Sequence, residues 1–279
     1  MPMELSEDPL RHALITDRTP WREVSCPAQL GSTNAAALAD PRPWRVVTTP
    51  HQTHGRGRHT RSWESPAGAS VAVSFTVPLA KDPASWGWLS LIAGLGVTRA
   101  LGRVTGSPDS FALKWPNDVL AREPHGRWGK VCGILCEATP ATDSGIAVAV
   151  IGIGVNLDLS PEELPVPAAT SLTLAGHERH APADVVVALA HEIADLHGPW
   201  YAGGLTLDEL RRDYRAACTT IGCDVQVHLP DGIVVEGEAV DVSRGGEIVV
   251  MIDGARRSFA AGDVIHLRRA TPTRPTSQA

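Results

Sequence analysis

Between Phe111 and Leu157 three apolar runs follow one another: FALKW at 111–115, KVCGILCEA at 130–138 and GIAVAVIGIGVNL at 145–157. Their valines and isoleucines suit a pleated, half-buried surface. A parallel pair of strands needs a crossover of a dozen or more residues, usually helical. The connection at 139–144 is too short for one, and that at 116–129 is broken by Pro116, Pro124, Gly126 and Gly129. The strands before residue 160 therefore read mostly as hairpin-like neighbours rather than βαβ units. This argues against a doubly wound sheet and predicts an α+β chain with a mixed, largely antiparallel sheet.

RVVTTP (45–50) and ASVAVSFTVP (69–78) read as two further strands, with a long loop over 51–70 between them. Ser32-Thr33-Asn34 supply capping residues for an alanine-rich helix. The apolar stretch 86–101 predicts a buried helix, with Gly94, Gly96 and Gly102 allowing close packing. Helical spacing returns over 182–200 through Val186, Leu189, Ile193, Leu196 and Trp200, and a second helix follows over 206–218. From Ile221 short strands alternate with turn signals at Pro230-Asp231-Gly232, Arg244-Gly245-Gly246 and Asp253-Gly254, which predicts a small SH3-like barrel. The expected organisation is an N-terminal extension at 1–31, a main domain at 32–219, the small domain at 220–270 and a disordered tail at 271–279.

Composition narrows the class. Hydrophobic residues are 43% of 279, enough for a sizeable core, so global disorder is excluded. No apolar run approaches the roughly 20 residues that span a bilayer, and the acidic start lacks the apolar stretch of a secretory signal. Five cysteines in a chain this long are no disulfide framework. A cytoplasmic protein with reduced thiols is expected, without membrane contact. The net charge of −6 makes nucleic acid a poor partner for the chain as a whole.

The most informative segment is Gly55-Arg56-Gly57-Arg58-His59-Thr60-Arg61. Its three arginines repel one another until an anion neutralises them, and guanidinium forks match phosphate and carboxylate. A lid ordered by an anionic ligand is one reading; a solvated or RNA-contacting basic turn is the other. Lys114-Trp115-Pro116-Asn117-Asp118 brings a lysine, an amide and a carboxylate to one strand end, where they suit phosphates with a divalent cation or form an ordinary surface turn. Lys130 opens an apolar strand, as ligand contact or as edge gatekeeper. Glu137 sits among apolar neighbours and needs a partner if buried.

Other patterns carry less. Gly152-Ile153-Gly154 lacks the third glycine of a dinucleotide fingerprint, since Leu157 stands in its place, and reads as a strand that lets a flat ligand approach. His51, His54 and His59 fit no zinc spacing, and Asp195 stands where HExxH would need its second histidine. Cys132 and Cys136 share one strand face and read as core thiols.

Taken together, Ser32-Thr33-Asn34, the loop from Gln52 through Gly68, Lys114–Asp118, Gly129–Glu137 and Gly152–Leu157 resemble, in order, the motifs of the biotin protein ligase family. The resemblance spans about residues 30–270. It implies the family's class II synthetase-like catalytic domain and its two half-reactions. Biotin's carboxylate attacks the α-phosphate of ATP, giving biotinyl-5′-AMP, and a lysine of a biotin carboxyl carrier domain then displaces AMP. Lys130 and Arg58 are implied as catalytic. Ser32, Thr33, Asn34, Gln52, Gly55, Arg56, Gly57, Arg58 and Lys130 are implied around biotin, whose rings would lie in a slot of Gly133, Leu135 and Gly154. Arg56, Arg58, Arg61, Trp63, Lys114, Asn117, Lys130, Asn156 and Arg268 are implied for ATP or the adenylate, and Asp118 for Mg2+. Thr60 departs from the family's usual loop glycine. Some members carry an N-terminal winged helix-turn-helix; about 31 residues precede Ser32 here, so no DNA binding is expected.

Overall fold

The computed structural model describes residues 3–58, 61–63, 66–79, 82–139, 146–229, 232–260 and 263–266. In chain order the elements are α1 (Glu7–Leu14), β1 (Glu23–Ser25), α2 (Thr33–Ala39), β2 (Arg45–Thr49), β3 (Gly55–Arg56), β4 (Ser62–Trp63), β5 (Ser70–Pro78) and α3 (Trp88–Thr105). There follow β6 (Phe111–Lys114), β7 (Asp118–Arg122), β8 (Trp128–Thr139), β9 (Val148–Asn156), α4 (Pro182–Ala202), α5 (Leu207–Ala217), β10 (Asp224–His228), β11 (Val234–Val242), β12 (Ile248–Ile252), β13 (Ala255–Phe259) and β14 (Asp263–His266).

Seven strands form one sheet in the order β1-β2-β5-β9-β8-β7-β6. Only β1 and β2 run parallel; every other neighbouring pair is antiparallel. The mixed, largely antiparallel α+β expectation is met. Strand β7 was not expected: its short VLA run between Pro116 and Pro124 is hidden by the prolines, yet Val119 and Ala121 are fully buried.

The period of two gives this sheet two different faces. Ile151, Ile153 and Val155 of β9, with Cys132 and Ile134 of β8, join the main core beside α3 and α4. That close helix packing uses the expected glycines: a Cβ on Gly96 would stand 3.1 Å from Ile193 Cδ1. The opposite face carries Gly152, Gly154 and Asn156 of β9 and Gly133 and Leu135 of β8 around a cavity. Helix α2 covers one side of that face, where Ala37 packs on Val47 and Val150.

The segment before Ser32 is packed. Leu10, Leu14 and Trp21 are fully buried, Trp21 Nε1 donates to Ala190 O at 3.1 Å, and β1 extends the main sheet. Among the described residues no helix is long and apolar enough to cross a membrane.

Strands β13-β12-β11-β10-β14 form a second, antiparallel sheet. Its outer strands β13 and β14 do not pair with each other among the described residues, so this sheet is open there and the expected barrel is not closed by them. Two tryptophans, one opening α3 and one following β6, reach this part of the chain: Trp88 Nε1 donates to Arg244 O at 2.9 Å and Trp115 Nε1 to Gly246 O at 3.1 Å. A Cβ on Gly87 would fall 2.0 Å from Gly245 O, so the contact requires glycine. Asp241 of β11 pairs with Arg211 of α5. Burial alone would raise the Asp241 carboxyl; Arg211, the Val242 N–H and Arg215 outweigh it and hold it below its ordinary value.

Candidate active site

The cavity, of about 410 Å³, crosses the functional face from β5 to β7. Its charged end depends on a break in strand alternation. Val119 pairs with Cys132 while Leu120 pairs with Lys130, which leaves Val131 as an extra residue. Such a bulge re-aims the side chains beyond it. Strict alternation would put Lys130 on the core side with Cys132 and Ile134. Instead its Nζ lies 2.6 Å from Asp118 Oδ1 and 3.4 Å from where a Gly133 Cβ would be. The Lys130 backbone is fixed on its other edge: its N–H donates to Ala168 O at 2.7 Å and its carbonyl accepts from Thr170 N at 2.9 Å.

The uncharged end is a hydrogen-bonded cluster at the start of α2. Ser32 caps the helix by accepting from Ala35 N at 3.3 Å. Gln52 Oε1 accepts from Thr33 N at 2.9 Å and from Thr33 Oγ1 at 3.2 Å. Asn34 is 3% exposed. Its Oδ1 accepts from Ser74 Oγ at 2.6 Å, and its Nδ2 donates to Leu135 O at 3.2 Å and Glu137 Oε2 at 2.9 Å. The amide rests on Gly152, where a Cβ would lie 2.0 Å from Asn34 Oδ1.

The arginine–glycine loop forms the roof. Gly55 pairs with Trp63 and Arg56 with Ser62 in a hairpin of two residues per strand. The Trp63 indole lies on the floor formed by the paired glycines Gly133 and Gly154. Its Nε1 is buried, with no hydrogen-bond partner among the described residues. Arg58 donates to Asn117 Oδ1 at 3.1 Å, and Asn117 Nδ2 is held by Ile134 O at 2.9 Å. Arg56 donates to Glu137 Oε1 at 2.9 Å. Among the described residues Arg56, Arg58, Arg61, Lys114 and Lys130 line the cavity with one carboxylate, Asp118. An excess of cations in a partly enclosed space favours a polyanionic ligand.

Nearly every site residue singled out in the sequence lines this one cavity, from Ser32, Thr33, Asn34 and Gln52 to Lys114, Asn117 and Asn156. Gly55 instead supports Trp63 from below, where a Cβ would stand 2.1 Å from the Trp63 carbonyl. Arg268 and Thr60 lie outside the described residues. The expected metal contact, Asp118, has Lys130 as its partner, and among the described residues no three His, Cys, Asp or Glu side chains converge to hold an ion. The thiols play no visible part: burial raises Cys132 well above its ordinary value and pushes Cys136 up to about 12.

Three residues outside the expected ligand sets complete the site. Ser74 is fully buried and orders Asn34; a serine amid SVAVSFTV is the only trace of it. Gly152 supports Asn34, and Glu137 joins Asn34 to Arg56. The wall facing the sheet comes from Pro165, Val166 and Ala169 of a proline-rich connection.

The model of the biotin/lipoate A/B protein ligase family matches residues 29–156, the segment that builds most of this cavity. The chain is 38% identical to the biotin–[acetyl-CoA-carboxylase] ligase of Mycobacterium tuberculosis, over 95% of this chain and 96% of that protein. Its fold matches a biotin protein ligase from Aquifex aeolicus in complex with biotin and ATP, with a TM-score of 0.71 at 24% identity over 89% of this chain and 100% of that one. It also matches the Leishmania major biotin protein ligase in complex with biotinyl-5-AMP, with a TM-score of 0.58 at 25% identity over 86% and 99% of the two chains. With its motifs in one cavity and a relative of this identity along nearly its whole length, the chain belongs to the biotin/lipoate A/B protein ligase family and, within it, to the biotin protein ligases.

Proposed function

We propose that this protein activates biotin with ATP to biotinyl-5′-AMP and transfers the biotinyl group to a lysine of a biotin carboxyl carrier domain of an acyl-CoA carboxylase. The observation that carries the reading is the polarity of one cavity. Hydrogen-bonding groups and a glycine floor under the Trp63 indole lie over β5 and β9, while toward β7 and the loop Lys130 meets Asp118, Lys114 pairs with Asp118 in strand register and Arg58 meets Asn117. A flat, neutral ring system suits the first end and a triphosphate the second. A carboxylate tail between them would reach Lys130.

Two anions must meet in the first half-reaction, so positioning and charge stabilisation do most of the work. A biotin carboxylate oxygen forms a bond to the α-phosphorus and the bond to pyrophosphate breaks. Lys130 would stand beside both anions, with Lys114, Arg58 and Asn117 on the phosphates. Mg2+ would enter with ATP on phosphate oxygens, Asp118 being the nearest protein carboxylate. In the second half-reaction the acceptor amine attacks the acyl carbon and AMP leaves with the anhydride oxygen. The loop shields the anhydride from water in the interval. We assign residues 32–219 to this chemistry and 220–270 to the smaller domain docked on Trp88 and Trp115, and we expect no DNA partner.

The deciding experiment is ATP–pyrophosphate exchange with biotin and, in parallel, with lipoate. Exchange that requires biotin is expected. Exchange with lipoate alone would move the protein to the lipoate branch of its family, and exchange with neither would refute the adenylation reading. Transfer of label to a purified carrier domain tests the second half-reaction.

A further inference from the structure

We propose that Glu137 is a positioning residue of this enzyme, which docks the loop strand β3 onto the sheet by holding Arg56. The proposal rests on the ligase reading for its consequence, though not for its geometry. Glu137 stands on the functional face of β8 with its side chain 23% exposed, and both carboxylate oxygens are engaged. Oε1 accepts from Arg56 and Oε2 from Asn34, each at 2.9 Å.

The two partners differ in mobility. Asn34 is buried, and its amide is gripped by Ser74, by Leu135 O and by the flat seat at Gly152. It therefore fixes the carboxylate. Arg56 has a side chain 49% exposed and belongs to a strand of two residues. A ladder that short cannot hold a hairpin in place. The charge-assisted bond to Glu137 is the tie that β3 itself makes to a rigid strand, beside the packing of the Trp63 indole of β4 on Gly133 and Gly154. It also offsets one of the three neighbouring arginine charges that would otherwise push the loop open.

The Lys130 ammonium lies beside Gly133, and Glu137 stands four residues farther along β8, about 13 Å at strand rise. Its loss should loosen the roof without touching the adenylation centre. The expectation is a split: a higher KM for biotin and faster escape of the adenylate, with kcat for pyrophosphate exchange little changed.

The test uses the full chain as wild type, Glu137→Gln, Glu137→Ala, Arg56→Ala and the double Arg56→Ala/Glu137→Ala. The first arm is limited trypsin digestion without substrates, following cleavage after Arg58 and Arg61, with thermal melting as the fold control. Cleavage in Glu137→Ala should be faster by about tenfold, the worth of one charge-assisted hydrogen bond, with Glu137→Gln in between. The second arm is release of biotinyl-AMP from preloaded enzyme. It should accelerate in Glu137→Ala and in Arg56→Ala, and the double should release no faster than the quicker single. Wild-type cleavage rates in both Glu137 variants would overturn the proposal, as would additive acceleration in the double. If the wild type shows no biotin-dependent exchange, the ligase reading fails and the trypsin arm alone still decides the role of Glu137.

Discussion

The Lys130 ammonium and the Asp118 carboxylate meet at 2.6 Å between β8 and β7, and the extra residue Val131 puts them on the same face. Before substrate arrives, Asp118 keeps the lysine aimed across the cavity floor. When two substrate anions take Asp118's place, the same lysine can bridge them with little rearrangement. This is the arrangement expected of a charge that must be present where a pentavalent phosphorus develops.

Lys130→Ala should therefore remove stabilisation that no neighbour supplies. Biotin-dependent pyrophosphate exchange should fall by a factor of about a hundred or more, about 3 kcal/mol. Lys130→Arg keeps the charge but brings a broader fork into a floor built of glycine, and should recover only part of the loss. Exchange within a few-fold of wild type in Lys130→Ala would refute the role.

The glycine floor gives a second prediction. A Cβ on Gly154 would lie 2.5 Å from Trp63 Cε2, so Gly154→Ala must displace the indole. Its neighbours Ile153 and Val155 stay in the core and the fold should persist. Displacing a packed ring forfeits about 1–3 kcal/mol, so KM for biotin should rise about tenfold or more. A normal KM with an unchanged circular dichroism spectrum would show that the indole does not set the height of the slot.

Arg58 donates to Asn117 at the charged end of the cavity, which gives it a part in closing the roof there. Arg58→Gly should let biotinyl-AMP escape before transfer, because the anhydride is protected only while solvent is excluded. The readout is biotin label on lysines of an unrelated protein, which should appear with the variant and not with the wild type. Equal labelling by both would contradict the assignment.

Most of the fold and the motif residues were legible in the sequence because they are local. Capping residues, apolar runs and the GRGR and KWPND segments sit within a few positions of one another, and their patterns survive without tertiary context. What was missed depends on partners far along the chain. Strand β1 is three residues long and exists because β2 pairs with it and Glu23 meets Arg45. The face of Lys130 follows from a one-residue bulge, which alternation alone gets wrong. Ser74 looks like an isolated polar residue, and the partners that Glu137 needs have no trace near it in sequence, until Asn34 is placed between them. The role of Trp115 inside its motif is likewise invisible: its indole N–H reaches Gly246, 131 positions away.

The core also contains a titratable group that should make stability depend on pH. His197 of α4 is fully buried, with Trp44, Trp200 and Tyr201 around its ring. Its Nε2 donates to Pro78 O at 2.9 Å, and Nδ1 has no partner among the described residues. Burial lowers its pKa from 6.5 to about 4, against the opposing effect of the Pro78 carbonyl. Protonation would put a second N–H where the described residues offer no acceptor. Below pH 6.5 the unfolded chain takes up a proton that the folded chain refuses until about pH 4. Stability should thus be flat in this contribution above pH 6.5 and fall as pH drops from 6.5 to 4, by about 3 kcal/mol in all. His197→Gln should lose that slope while retaining a donor for Pro78 O. Urea unfolding at a series of pH values measures it: equal slopes in wild type and variant over that window would show that other groups carry the acid sensitivity.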